Sequence, residues 1–424
     1  MAYNGAVRPT LSRASVLTWG MTKHQRGRSL ATRAVHAGQG HDPKTGAHAT
    51  PIYQTSTFIL GDVARGASLF AGEESGNVYS RIGNPTVTAV EQKIADLEGA
   101  ETAVAFASGM GASSAVLLSL LKSGDEVLIL GPIYGGTRGL LEEMLPRFGI
   151  SSRAVTDAEL ESAVGPNTAM IYVESPTNPN LTIHDLALAG RVARENGIIS
   201  VADSTFATPY LTRPLEHGIH ISLHSATKYL GGHGDLLGGL VAGPADLLEP
   251  VRMEGLRHLG ATMDPHVAFL LLRGMKTLHV RMAAHCANAR QVAEALSGRP
   301  GIRTVFFPGF EDHAGHAVAA RQMDDFGGMV SVELEGGRPA AAAFLESLQL
   351  FDHAVSLGDV ASLACHPAST THQLLPKEML DAEGVTEGLV RLSVGIEDAD
   401  DLVADVLQAA EAAARVSQAV GAAG

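Results

Sequence analysis

The chain is poor in cysteine, in aromatic residues, in positive charge and, most tellingly, in lysine. Two cysteines, Cys286 and Cys365, cannot build a disulfide framework, which points to a reducing cytoplasm. Lysine and arginine together number 31 against 45 acidic residues, a net charge of −14. That balance excludes partners that need a basic surface, nucleic acid and anionic membranes among them. No apolar run reaches the ~18 residues of a membrane-spanning helix. The only tryptophan, Trp19, lies in an opening stretch that has arginine and serine but no acidic residue. The composition is that of a transit peptide, yet an amphipathic stripe and a signal-type apolar core are both missing. Residues 1–28 therefore read as a disordered extension, with Met21 as an alternative start.

Apolar residues supply 45% of the 424 residues, enough for sizeable cores and a length prior of roughly two to three domains. Against this background the seven lysines, facing twenty-four arginines, become informative. Arginine serves a solvated surface as well as lysine does, but it cannot form an imine. Lys228 sits in Leu223-His-Ser-Ala-Thr-Lys-Tyr-Leu-Gly-Gly-His-Gly-Asp235, among small hydroxyl residues and glycines. A lysine whose amine is neutral can attack a carbonyl, the chemistry of pyridoxal phosphate (PLP) enzymes. Ser225 and Thr227 are placed to give hydroxyl hydrogen bonds to a phosphate. A surface turn is the alternative for this stretch taken alone.

From residue 86 onward strand-like and helix-like segments alternate. Helices are expected at 86–98, 109–121, 136–148 and 185–196, and strands at 102–108, 126–130, 168–174 and 198–203. A strand at 239–243 and a helical span over 265–296 follow. Near-continuous apolar strands in βα alternation predict an α/β fold with a mainly parallel sheet covered on both faces. Strands at 327–334 and 389–394, with helices at 340–348 and 400–413, predict a smaller α/β domain after it.

Ligands of open parallel sheets sit at the carboxyl ends of strands. Ser108, Gly109 and Met110 follow a strand and open a helix, offering backbone N–H groups to a phosphate, with glycine permitting close approach. Asp203 ends an apolar strand, where a carboxylate can pair with a protonated pyridine nitrogen or simply cap a turn. A glycine phosphate turn, then a strand-end aspartate, then a lysine twenty-five residues later is the order used by fold-type I PLP enzymes.

On further motifs the chain resembles the Cys/Met-metabolism (trans-sulfuration) family of PLP-dependent enzymes. The likeness runs from about residue 34 to about residue 413 and includes Tyr79-Ser-Arg-Ile-Gly-Asn-Pro-Thr86, Glu174-Ser-Pro-Thr-Asn-Pro-Asn180, Asp203-Ser-Thr-Phe-Ala-Thr-Pro-Tyr210, Ser225-Ala-Thr-Lys-Tyr-Leu230 and Val390-Arg-Leu-Ser-Val-Gly395. The resemblance implies that Lys228 holds the cofactor covalently and later moves protons between substrate carbons. It implies that Tyr134 stacks on the pyridine ring and assists at the γ-leaving group. Gly109, Met110, Ser225 and Thr227 would hold the phosphate, and Asp203 the pyridine nitrogen. Tyr79 and Arg81 would reach the phosphate of a neighbouring subunit, making residues 29–83 an exchanged N-terminal arm. Residues 84–279 would be the PLP-binding domain and 280–424 the small domain, in a homotetramer built as a dimer of dimers. Arg391 would clamp the α-carboxylate of a small amino-acid substrate, supported by Ser356 and Asn178.

Within the family the methionine γ-lyase branch is the one the chain most resembles, which implies α,γ-elimination of methionine or homocysteine. Three positions depart from that branch: Gly136 stands where it carries a pocket cysteine, and Arg257-His258 where it carries Lys-Asp. Glycine at that place is what γ-replacing relatives carry, so a transferase acting on O-acetyl- or O-succinylhomoserine, or a cystathionine γ-lyase, stays open. His313 with His316, and His36, His41 and His48, lack a third or fourth ligand at a fixed offset, so no metal site is expected.

Overall fold

The computed structural model describes residues 27–42 and 44–423. The expected disordered extension therefore falls almost wholly outside the described residues. Seven strands form the larger sheet: β1 (Thr102–Phe106), β2 (Glu126–Leu130), β3 (Ser151–Val155), β4 (Thr168–Glu174), β5 (Ile199–Asp203), β6 (Ile221–Ser225) and β7 (Gly239–Gly243). Their order is β1-β7-β6-β5-β4-β2-β3, with β7 antiparallel to both neighbours and the other pairs parallel. Five more strands follow, β8 (Ile302–Phe306), β9 (Met329–Leu334), β10 (Asp352–His353), β11 (Leu363–Cys365) and β12 (Leu389–Ser393). They make a second sheet in the order β10-β11-β12-β9-β8. This is the fold-type I arrangement expected, a mostly parallel large sheet and a smaller C-terminal α/β unit.

Both faces of the large sheet are covered, which is why its strands carry unbroken apolar runs. Along β1, Ala103 and Ala105 enter one core with the helices Pro85–Glu98 and Pro265–Lys276, while Val104 and Phe106 enter another beneath the helix Gly109–Leu120. The helix ends are fixed by local chemistry. Asn84 caps Pro85–Glu98 by accepting from Thr86 N at 3.0 Å, Pro85 fills the first turn where no donor is needed, and Gly99 ends it at φ 72°. Asp185 and Gly197 do the same for Leu186–Asn196. The helix Leu278–Leu296 gives Leu278, Met282 and Cys286 to the large-sheet core and Ala289, Val292, Ala293 and Leu296 to the small-sheet core, tying the two together.

Two expectations need adjustment, and one strand beside the site was not expected. The helix expected at 136–148 starts as Gly135–Gly139, widens into a π-turn at Leu140–Met144 and tightens to a 3-10 turn at Leu145–Phe148. Pro146 cannot donate an amide to the preceding turn, and a regular helix cannot run through it. The span 265–296 is two helices, broken at Thr277. Strand β6, which leads into Lys228, lacks an obvious apolar run because Ser222 and His224 lie within it. His224 Nε2 stands 2.6 Å from Glu98 Oε1 with both side chains fully buried, so the polarity is absorbed inside the protein.

Phe344 is fully buried between the small sheet and the C-terminal helix Ala399–Ala423. Phe344→Ala should reduce the unfolding free energy by about 3–5 kcal/mol, read from denaturant midpoints, through lost burial and the cavity left behind.

Candidate active site

The site assembles where the carboxyl ends of β4, β5 and β6 meet the small sheet. Asp203 lies opposite Leu223 across β5 and β6 and opposite Glu174 across β5 and β4. It is buried, and its Oδ1 accepts from Thr205 N at 3.1 Å and Thr205 Oγ1 at 2.5 Å. Burial nevertheless raises its pKa above the usual carboxylate value, with the Thr205 bonds working against the rise. A cation beside this carboxylate would relieve that penalty. Thr205 Oγ1 also accepts from Ser225 N at 2.8 Å, so one hydroxyl sets the spacing between the aspartate and the turn that carries Lys228.

Ser108 caps the helix Gly109–Leu120, its hydroxyl accepting from Gly111 N at 3.0 Å. A methyl group on Gly109 would come within 2.8 Å of Ser225 Cβ. The approach of this helix start to the β6 turn is therefore possible only with glycine. Thr227 Oγ1 accepts from Gly238 N at 3.1 Å, which holds the lysine turn against β7. Amide groups at a helix N-terminus, flanked by the Ser225 and Thr227 side chains, are donors of the kind that suits a phosphate.

Lys228 Nζ donates to Ser356 Oγ at 2.7 Å. Burial, with the positive charge of Arg391 second, lowers the pKa of this amine to about 8. Arg391, on β12 and only 3% exposed, donates from Nη1 to Asn178 Oδ1 at 2.8 Å and from Nη2 to Ser356 O at 2.7 Å. Its Nε is buried without a hydrogen-bond partner among the described residues. A guanidinium has five N–H donors, so donors remain for a carboxylate. Asn178 N donates to Glu174 Oε1 at 3.1 Å, and Tyr134 N donates to Glu174 Oε2 at 2.7 Å. An unbroken series of hydrogen bonds thus runs Lys228, Ser356, Arg391, Asn178, Glu174, Tyr134.

Tyr79 and Arg81 stand apart from that series. Both are exposed, their side chains stack as a cation–π pair at 5.6 Å, and Arg81 Nη1 donates to Arg257 O. Gly136 lies under the Tyr134 ring, where an added Cβ would come to 2.6 Å from the ring and 3.0 Å from Met110 Sδ. Glu174 and Thr205 were not singled out from sequence. Glu174 ends an apolar strand as Asp203 does, so the same strand-end rule would have found it. Among the described residues no three His, Cys, Asp or Glu side chains converge as metal ligands.

These groups fit PLP: a glycine-dependent phosphate cradle, a buried acid needing a cation, and a lysine amine with a lowered pKa. The model of the family described as Cys/Met metabolism PLP-dependent enzyme matches residues 31–411. The chain belongs to that family. It is 48% identical to the L-methionine gamma-lyase of Pseudomonas putida over 391 residues, covering 91% of this chain and 98% of that protein. It is 42% identical to the O-succinylhomoserine sulfhydrylase of Pseudomonas aeruginosa, covering 90% and 94%. The crystal structure of metB from Corynebacterium glutamicum superposes with a TM-score of 0.86 at 41% identity, covering 91% of this chain and 98% of that one. As a family member the protein is a PLP-dependent enzyme of cysteine and methionine metabolism.

The amine of Lys228 is protonated below a pKa of about 8 and neutral above it. In the protein stripped of cofactor, the rate at which this amine condenses with PLP should rise with pH through about 8 and then level off. Stopped-flow absorbance would record it, and a rise centred near the ordinary lysine value would contradict the assigned environment.

Proposed function

We propose that the protein is a carbon–sulfur lyase of the methionine γ-lyase kind, eliminating the γ-thiol of methionine or homocysteine. With water consumed, the products are α-ketobutyrate, ammonia and a thiol. The observation that carries this reading is the hydrogen-bond series, in which one serine, Ser356, joins the amine of Lys228 to the guanidinium of Arg391. An amino acid whose α-carboxylate is gripped by Arg391 presents its Cα hydrogen toward a base one residue away. PLP, when bound, supplies the electron sink that makes this proton removable.

Each protein group then has a defined task. Arg391, steadied by Asn178, orients the α-carboxylate. Lys228, neutral for a sizeable fraction of the time near pH 8, takes the Cα proton and returns it further along the side chain. Asp203 keeps a proton on the pyridine nitrogen, which in turn stabilises the buried carboxylate. Gly109, Met110, Ser225 and Thr227 hold the phosphate. The Tyr134 hydroxyl gives a proton to the departing sulfur, and Tyr134, 49% exposed, faces open space where a substrate side chain can enter.

A second reading is γ-replacement on an O-acylated homoserine. Gly136 favours it, since glycine at this place is what γ-replacing relatives carry, and the Tyr134 ring fills the space a side chain would take. Identity of 48% to a lyase and 42% to a sulfhydrylase is too small a gap to separate the two. Purified protein should release α-ketobutyrate from methionine without added thiol. An enzyme that consumes O-acetylhomoserine only when thiol is supplied, and leaves methionine and cystathionine untouched, is a transferase.

Residues 29–83 are proposed to be an arm that completes a neighbouring subunit. Ile59 and Val63 are about nine-tenths exposed and Phe70 is 62% exposed. Such an apolar face gains by burial against a second copy. Tyr79 and Arg81 on the same arm would then meet the neighbour's phosphate cradle, in a homotetramer of two such pairs. The remaining divisions proposed are a cofactor-binding domain over 84–279 and a small domain over 280–424. Two buried free cysteines suit a reducing cytoplasm, and no helix of the described residues is long and apolar enough to cross a membrane. Mixing inactive Lys228→Ala subunits with Arg81→Ala subunits should restore part of the activity, because some mixed sites carry both residues. A fully active monomer would refute the exchange.

A further inference from the structure

We infer that Glu174 is a positioning residue which holds the ring-bearing tyrosine and the carboxylate-binding pair in one fixed relation. The inference rests on the proposed use of Tyr134 and Arg391. Glu174 touches neither substrate nor cofactor in that scheme; it acts through backbone amides. Its two oxygens are divided between two loops: Oε2 accepts from Tyr134 N at 2.7 Å, in the loop after β2, and Oε1 accepts from Asn178 N at 3.1 Å, in the loop after β4. Asn178 passes the constraint on through its side-chain oxygen to Arg391 Nη1 at 2.8 Å. A single carboxylate therefore fixes how far the ring above the cofactor stands from the clamp on the α-carboxylate.

The environment makes this more than an ordinary cap. Glu174 is 4% exposed and lies directly across the sheet register from Asp203, so two buried acids sit side by side on one face. Burial first, and the negative charge of Asp203 second, push the pKa of Glu174 well up, opposed by the two amide bonds and by Arg138. Arg138 is itself mostly buried and pairs with Glu383 of the small domain. A neutral, well-packed side chain here would avoid the cost of crowding two acids. Glutamate is retained where only an acceptor at both oxygens serves both amides. Glutamine would set its NH₂ against one of the two N–H groups, and aspartate, one methylene shorter, would not span both loops.

The test uses cofactor-loaded Glu174→Gln and Glu174→Asp, each compared with wild type, so that either folded variant decides. Glycine is the probe for the carboxylate clamp, titrated through the absorbance of the bound cofactor. It has no leaving group, and its binding does not depend on which γ-substrate the enzyme prefers. Visible circular dichroism of the cofactor reports the Tyr134 ring. The expected result is a glycine dissociation constant raised roughly 10-fold or more, a changed visible dichroism and turnover down by about 10- to 100-fold, with the melting temperature nearly unchanged. Wild-type glycine affinity and dichroism in either folded variant, or a loss confined to melting temperature, would overturn the assignment. A wild-type protein that turns over no γ-substituted amino acid would instead sink the lyase reading, and the glycine titration would still report on Glu174.

Discussion

A buried guanidinium bridging two sheets is the constraint on which the site depends. Arg391 lies on β12 of the small sheet, yet its acceptors are Asn178 from the large domain and Ser356 from the loop beside Lys228. Burying an unpaired charge is costly, so the two units can close properly only when those acceptors are in place. The requirement that satisfies Arg391 also sets the distance between its guanidinium and the amine of Lys228, which Ser356 joins.

The same positive charge shapes the chemistry. It is the second cause, after burial, of the lowered pKa of Lys228, so in the proposed scheme the group that grips the substrate also readies the base. On the other side of the site the sign is reversed. Asp203 and Glu174, adjacent in register and buried, both have raised pKa values. A cationic side at Arg391 facing an acid-rich floor at Asp203 and Glu174 makes a polarised pocket, which suits the zwitterionic substrate and protonated ring nitrogen of the proposed scheme.

Glycine and hydroxyl residues supply the tolerances. Gly109 lets a helix start approach the lysine turn more closely than any side chain would allow. Thr205 joins the aspartate to that turn with one oxygen. Gly136 does something different. It removes a side chain from beneath Tyr134, and the ring takes the space. A side chain added at position 136, cysteine included, would first have to displace the ring.

Much of this was legible in the chain. The strands 126–130, 168–174 and 239–243 have the bounds that their apolar runs predict, because both faces of the sheet are buried and burial is written directly as hydrophobicity. The scarcity of lysine made Lys228 conspicuous, and strand-end polarity located Asp203. Strand β6 was not visible, since Ser222 and His224 break its apolar pattern and find their partners only in the fold, Ser222 in His224 and His224 in the distant Glu98. The helix expected at 136–148 ran straight through Pro146, where the backbone instead widens and then tightens. Sequence by itself determined the family, the cofactor and most strands of the large sheet, since these rest on residue types, motifs and short-range periodicity. Tertiary structure decided which groups stand together: Glu174 with Tyr134, 40 residues apart, and Lys228 with Ser356, 128 residues apart. Those pairs are set by loops folding back from separate strands, and no local pattern in the chain encodes a contact made at such separations.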